Sequence, residues 1–461
     1  MKTFKIYVTT LMVAGAIAAG VASAAANTSP NVVLFLVDDL GWADLGYRNP
    51  DVFESPNIDK LAAEGTDFTQ AYIACPTCSP SRATLLTGQH PTRIGFARHI
   101  YTGDPKAGFD KTGRTTQEFA VFDQDPAQFP SRNWLPLELT TYAEALNERG
   151  YHNEFVGKWH LGSEEYFPTK QGFASEAGTA NAGHPRSYVP PFFKNSEVFA
   201  NEQERYLTDK LTDESVNFIE SYDRDAPFML SMWYYSVHAP HIGREDLVKH
   251  FEAKGLTGAY AHYAAMVKAV DESVGRVRRA LEAKGMADNT IIIFLSDQGG
   301  AFQNGVFHGG KKEDTLYEGG ARVPFIFHWP GVTKPGSTND SIVQSTDLFP
   351  TLVEIAGGDV SKFEHLDGVS LVPSIEQNSI LQRGAPLFGY RAYEDLYVSV
   401  REGDWKLLAY RSGAIKLYNI ANDISETTDV AAKHPQRVQA LREKLIAWEI
   451  EMGVERYSGV Q

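Results

Sequence analysis

Residues 31–41 read NVVLFLVDDLG and residues 289–300 read NTIIIFLSDQGG. In each, an unbroken apolar run, rich in β-branched residues, ends in acid with glycine close behind. Val32 to Val37 leads into Asp38 and Asp39; Ile291 to Leu295 leads into Ser296 and Asp297. A strand that is apolar at every position has no face to give to water. It is therefore covered on both sides, as strands of parallel sheets are. In open α/β sheets ligands gather at the carboxyl ends of the strands. Acids placed there either cap the turns that follow or converge from separate strands on a hard cation. The same ending on two strands, one with an adjacent aspartate pair, favours the cation.

Helical segments alternate with these strands. HYAAMVKAVDESVGRVRRALEAKG (262–285) places Tyr263, Met266, Val267, Val270, Val274, Val277 and Leu281 on one face and stops at Gly285. TTYAEALNERG (140–150) opens on a capping threonine and leads into a short strand within YHNEFVGKWHLG (151–162). The alternation predicts an α/β fold with a mostly parallel central sheet and helices on both faces. The last quarter reads differently. GYRAYEDLYVSVREGDWKLLAYRSGAIKLYNI (389–420) alternates in short pieces, and HPQRVQALREKLIAWEIEMG (434–453) is an amphipathic helix. These predict a small antiparallel sheet with a terminal helix. The division falls between Pro373 and Pro386, giving a large domain over 27–375 and a C-terminal subdomain over 376–461.

The chain opens with Lys2 and Lys5, an apolar stretch from Leu11 to Val21, and Ala22-Ser23-Ala24. That is the pattern of a secretory leader over residues 1–24, too short in its apolar part for a membrane anchor. No later segment has the long uncharged run of a membrane span, so a periplasmic or secreted protein is expected. The formal charge is −15, and loss of the leader deepens it by two. An acidic surface argues against nucleic acid as a partner. An anionic substrate would have to meet cations gathered in a pocket.

Two cysteines in 461 residues do not make a disulfide scaffold. Both lie in ACPTCSPSRATLLTG (74–88). Pro80 and Ser81 suit the first turn of a helix that ends at Gly88, which puts Cys78 at the helix N-terminus. Unpaired N–H groups and Arg82 one turn along favour a small oxyanion there. A short Cys75–Cys78 disulfide stays open on these grounds. A zinc site lacks the further ligands it would need.

CSPSRATLLTG resembles the signature of the type I sulfatases, in which this cysteine is oxidised to formylglycine. VDDLGWADLG (37–46), GYHNEFVGKWHLG (150–162), SVHAPH (236–241), SDQGG (296–300), YEGGARVP (317–324), DLFPTLVEIAG (347–357), REGDWKLLAY (401–410) and KLYNI (416–420) are similar to further segments of that family. The resemblance implies the alkaline phosphatase superfamily fold with a small C-terminal subdomain. It also implies an exported sulfuric ester hydrolase acting on sulfate monoesters. Sulfated carbohydrate is the expected substrate, since an exported enzyme meets polysaccharides. A phosphonate monoester or phosphodiester hydrolase of the same superfamily is the alternative.

The resemblance also implies roles. Cys78, as hydrated formylglycine, supplies the nucleophile and, through its second hydroxyl, the route for expelling sulfate. Asp38, Asp39, Asp297 and Gln298 hold a divalent cation, expected to be Ca2+ because every donor is oxygen. Arg82 and Lys158 stabilise the diol and the developing charge. His160 orients the diol, and His238 and Lys311 serve the leaving oxygen. His241 and His308 are expected to contact substrate. Lys311 is preferred to Lys312 because its GGK context is family-like. Gln298 stands where the family usually has Asn or His. The implied partner is a formylglycine-generating or anaerobic sulfatase-maturating enzyme.

Overall fold

The computed structural model describes residues 29–101, 116–122, 129–194 and 197–454. The expected leader lies outside the described residues. The strands of the large body are β1 (Asn31–Val37), β2 (Thr66–Tyr72), β3 (Phe119–Ala120), β4 (Ser131–Arg132), β5 (His152–Gly157), β6 (Ser175–Ala177), β7 (Phe228–Trp233), β8 (Thr290–Ser296), β9 (Arg322–Val323), β10 (Phe325–His328) and β11 (Ser337–Gln344). β3 and β4 pair only with each other. The rest form one sheet in the order β11-β2-β10-β8-β1-β7-β5-β6, with β9 also on β2. β1 runs parallel to both β7 and β8, and β5 parallel to β6 and β7. β10 runs against β8 and β2. The sheet is thus mostly parallel, as the two apolar runs predicted.

The alternation along β1 explains why it is apolar throughout. Val33, Phe35 and Val37 enter the core on one face of the sheet; Val32, Leu34 and Leu36 enter the core on the other. The helix Gly258–Ala283 covers the first face with the seven residues read from its periodicity, all buried. The helix Tyr142–Asn147 starts with a complete capping box between Thr141 and Glu144 and lies in the second core.

β1, β8, β7 and β5 point the same way, so their carboxyl ends share one edge. Backbone bonds carry the ladder past the strands. Asp38 N donates to Ser236 O at 2.9 Å, Asp297 N to Val37 O at 3.1 Å, and Lys158 N to Trp233 O at 2.8 Å. Gly157 makes the last of these approaches possible. Its φ is 113°, and a Cβ there would lie 2.0 Å from the carbonyl oxygen of Trp233.

The small sheet holds β12 (Leu387–Tyr390), β13 (Leu396–Glu402), β14 (Trp405–Tyr410) and β15 (Ile415–Asn419), antiparallel in that order. The helix Pro435–Met452 shares a core with it through Leu441, Leu445 and Trp448. The helix Val372–Gln377 instead packs with the large body through Ile375. A buried ion cluster ties the two bodies together. Lys406 lies 2.9 Å from both Glu318 and Glu426, and Glu318 also takes Tyr72 Oη at 2.7 Å.

Candidate active site

The helix Cys78–Thr87 follows β2 and is buried along its whole length. It ends at Gly88, left-handed with φ 68°, as the sequence predicted. Cys78 opens it, so its side chain sits beside the unpaired N–H groups of the first turn. The thiol lies 3.8 Å from Asp38 Oδ1 and 3.3 Å from the amide nitrogen of Gln298. A half-turn of that amide would present its carbonyl oxygen instead.

Arg82, one turn along, is fully buried. Its Nε and Nη2 donate to Asp297 Oδ2 at 3.1 and 2.8 Å, and its Nη1 donates to Lys158 O at 2.8 Å. The same Nη2 is 3.8 Å from Asp38, and Lys158 Nζ is 2.5 Å from Asp38 Oδ2. Lys311 pairs with Asp39 Oδ2. Asp39 has φ 63° and its N–H donates to Asp297 Oδ1 at 3.1 Å. His160, at φ 59°, is the other non-glycine site residue held left-handed. Such backbone costs about 1–3 kcal/mol each and persists where surroundings over-determine it.

Three histidines have their tautomers fixed by carbonyl oxygens, which can only accept. His160 Nε2 donates to Ile100 O at 2.8 Å, and its buried Nδ1 has no partner among the described residues. His238 Nδ1 donates to Ala239 O at 2.5 Å, and its Nε2 lies 3.7 Å from Asp39 Oδ2. His184 Nδ1 donates to Pro185 O at 2.8 Å. Burial, with Lys158 and Arg82 close by, holds His160 well below the usual imidazole range. Burial opposes a charge on His238, but Asp39 and Asp38 outweigh it and raise its pKa.

Electrostatics single out residue 78 as well. Burial pushes the Cys78 thiol up, yet Lys158, the His238 hydrogen bond and Lys311 bring it down to about 5. Cys75, three residues earlier, is pushed up by burial to about 12. Both cysteines are free thiols.

The donor set fits a hard cation. Asp38, Asp39 and Asp297 are all buried, and Asp39 Oδ1 has no hydrogen-bond partner among the described residues. Burial and Asp38 push Asp297 up to about 7 although two Arg82 nitrogens donate to it. Three buried carboxylates crowd together there, and a divalent ion among their oxygens would relieve their mutual repulsion.

Nine of the twelve residues singled out in the sequence are therefore linked at one sheet edge by the contacts above, and His160, two residues beyond Lys158, lies beside them with its side chain bonded to Ile100 O. His241 lies at its margin, half-buried against Tyr263 and Phe302, with Nε2 unpartnered among the described residues. His308 is not joined to the cluster by any bond among the described residues. It pairs with Asp314 at 2.8 Å and lies on Tyr317. Sequence reasoning did not reach His99, whose ring lies 6.5 Å from that of His160, nor His184, stacked on His238 at 5.3 Å. Nor did it reach Arg391, which bonds to Pro76 O and Thr77. None of the three stands in a recognisable pattern.

The family model described as Sulfatase matches residues 30–358. This chain belongs to the sulfatase family. It is a sulfuric ester hydrolase of the alkaline phosphatase superfamily. A second model, N-sulphoglucosamine sulphohydrolase, C-terminal, matches residues 308–451. Among its relatives, N-acetylgalactosamine-6-sulfatase of Rattus norvegicus is 34% identical over 414 residues, spanning 84% of this chain and 73% of that protein. A protein of Formosa agariphila described as Sulfatase is 30% identical over 98% of this chain and 94% of its own length. The crystal structure of Ps i-CgsB in complex with k-i-k-neocarrahexaose superposes with a TM-score of 0.79 at 31% identity, covering 91% of the sulfatase and 93% of that chain. Among the described residues, no helix of the sulfatase is long and apolar enough to cross a membrane.

Proposed function

We propose that this sulfatase removes sulfate from sulfated carbohydrates, using formylglycine made from Cys78 and a bound divalent cation. The carbohydrate reading is supported by a relative named for N-acetylgalactosamine 6-sulfate and a neighbour with a neocarrahexaose bound. The observation that carries the site is the array around Cys78: a buried helix start, a carboxylate and an amide at the sulfur, and Lys158 and Arg82 behind it.

When formed, the hydrated aldehyde at residue 78 supplies an oxygen nucleophile and a second hydroxyl through which sulfate leaves. Asp38, Asp39, Asp297 and the carbonyl of Gln298 would hold a calcium ion, which would supply Lewis-acid polarisation of a sulfate oxygen. The chain's own groups do the rest. Arg82, with three donors spent on Asp297 and Lys158 O, fixes Asp297 and lends charge from behind. Lys158 keeps donors beyond Asp38 for the nucleophile and for charge developing in the transition state. His160, held neutral, offers Nδ1 as an acceptor that orients a hydroxyl and takes its proton. His238, raised by Asp39, carries a proton at Nε2 for the leaving sugar oxygen. Lys311 adds charge on the same side.

The reading includes export by the leader at residues 1–24 and a partner that oxidises Cys78. It is tested by peptide mass spectrometry across residues 74–88 of active protein. Sulfate release from a panel of sulfated sugars, including N-acetylgalactosamine 6-sulfate, is measured on the same preparation. An aldehyde at residue 78 with sulfate release is the expected result. A Cys75–Cys78 disulfide in fully active protein would overturn the mechanism.

A further inference from the structure

The reactive cluster is closed on most sides. Asp38, Asp39, Asp297, Arg82 and Lys158 have no exposed side-chain surface. What reaches solvent is Cys78 at 7%, the His238 side chain at 15% and the Lys311 side chain at 22%. A sulfate ester must enter there, with its sulfate inward and the rest of the molecule directed out past His238.

The segment 180–188 lies over that opening. Three anchors hold it. His160 N donates to Ala180 O at 3.5 Å, and Gly162 N donates to Asn181 Oδ1 at 3.1 Å. The buried Tyr188 hydroxyl bonds to Tyr235 O at 2.5 Å and to His238 O at 2.9 Å. Between these anchors the chain lies directly on both active-site histidines. A Cβ on Gly183 would come within 2.7 Å of His160 Cε1. The His184 ring stacks on His238 at 5.3 Å, only 11° from parallel. His184 is exposed, although the ring beneath it is mostly covered.

His184 Nδ1 is spent on Pro185 O, so the neutral ring has a lone pair at Nε2. No described residue bonds to that nitrogen. An exposed acceptor one ring outward from the leaving-group histidine stands where the sugar that carries the sulfate must pass.

We propose that His184 is a specificity-determining residue: its Nε2 accepts a hydrogen bond from a hydroxyl of the sulfated sugar, so that saccharide sulfates are preferred to sulfates without such a hydroxyl. Partial desolvation of its ring lowers the His184 pKa, which favours the neutral form that carries the acceptor. The proposal rests on the carbohydrate-sulfatase reading above.

The test compares kcat/KM on a sulfated saccharide with kcat/KM on 4-nitrophenyl sulfate, which lacks sugar hydroxyls. In His184→Ala the saccharide-to-aryl ratio falls about tenfold, the equivalent of one hydrogen bond at about 1.4 kcal/mol per decade. His184→Gln, whose side-chain carbonyl is an acceptor, recovers part of the ratio. His184→Phe keeps a ring on His238 without an acceptor and recovers none. A ratio unaltered in His184→Ala, or restored by His184→Phe, overturns the sugar contact and makes the ring a support for His238. Absence of sulfate release from both substrates by aldehyde-bearing wild-type protein overturns the sulfatase reading and this proposal with it.

Discussion

Arg391, on the small C-terminal sheet's side of the molecule, grips Thr77, the residue that precedes Cys78. Its Nη1 bonds to Thr77 Oγ1 and, at 2.5 Å, to Pro76 O, while its guanidinium lies 3.9 Å from the Tyr393 ring centre. Tyr390 N donates to Ala74 O at 2.9 Å in the same region. The turn that leads into Cys78 is thus held from the small C-terminal sheet's side. Arg391 is 4% exposed, so truncation leaves buried acceptors unpaired. Arg391→Ala should cost about 2–4 kcal/mol in urea unfolding. Turnover should fall more than KM rises, because the turn loses its position. Retention of full kcat by the folded variant would remove the turn from the list of what Arg391 positions.

The two thiols differ in environment by more than their spacing implies. Cys78 is drawn down to about 5 by Lys158 and His238 against burial, and burial pushes Cys75 up to about 12. In protein that retains a thiol at residue 78, iodoacetamide at pH 7 should label Cys78 and spare Cys75, since the thiolate is the reactive form. Cys78→Ala should abolish turnover, and Cys75→Ser should remain active with a stability loss of about 1–2 kcal/mol for a buried hydroxyl. Equal loss of turnover in both folded variants would sink the assignment.

Much of this was legible in the sequence because it is local. The uniform apolarity of Val32 to Val37 encodes a strand between two cores, and Cys78-to-Gly88 encodes a capped helix. The convergence of Asp38 and Asp297 follows from two parallel strands ending alike. His184 and Arg391 could not be read. Their roles depend on where an irregular segment and a distant subdomain come to rest, and neither leaves a periodic trace. His308 and His241 look alike as isolated histidines. Only the fold separates one bonded to Asp314 from one beside the cluster.

Lys311 and Lys312 are adjacent, but only Lys311 is paired with Asp39. Lys311 N donates to Gly300 O at 3.1 Å, which fixes the direction of its side chain from the β8 loop. Lys311→Ala should reduce kcat/KM on a sulfate ester by about 10²–10³, as removal of a charge-stabilising donor does. Lys312→Ala should lie within about threefold of wild type. Reversal of the two effects would reassign the lysine.

Among the described residues Asp39 Oδ1 has no hydrogen-bond partner, and Asp38 and Asp297 crowd beside it, burial and Asp38 raising the pKa of Asp297. Dialysis against a chelator should remove activity and lower the melting temperature; added calcium should restore both. A ligand at about 100 times its Kd stabilises by about 2.7 kcal/mol. Asp39→Asn should lose most of the calcium-dependent rise in melting temperature. A rise of equal size in Asp39→Asn would place the ion elsewhere.

His90 gives the sulfatase an acid sensitivity that is separate from catalysis. It follows the helix Cys78–Thr87 and meets the C-terminal subdomain: Nε2 lies 3.2 Å from Phe388 O and the ring sits edge-on to Trp448. Its Nδ1 is 2.7 Å from Thr92 Oγ1. Burial lowers its pKa from 6.5 to about 4, so the folded protein holds it neutral where the unfolded chain would charge it. A depressed histidine contributes stability that is present above the unfolded pKa. That stability is lost as pH falls from 6.5 toward about 4. At pH 5 the loss relative to pH 8 is on the order of 2 kcal/mol. In urea melts the midpoint should fall between pH 8 and pH 5, and His90→Gln should show a smaller fall over the same interval. A fall of the same size in His90→Gln would assign the acid sensitivity to other groups, of which the half-buried His99 and the buried His160 are the first to try.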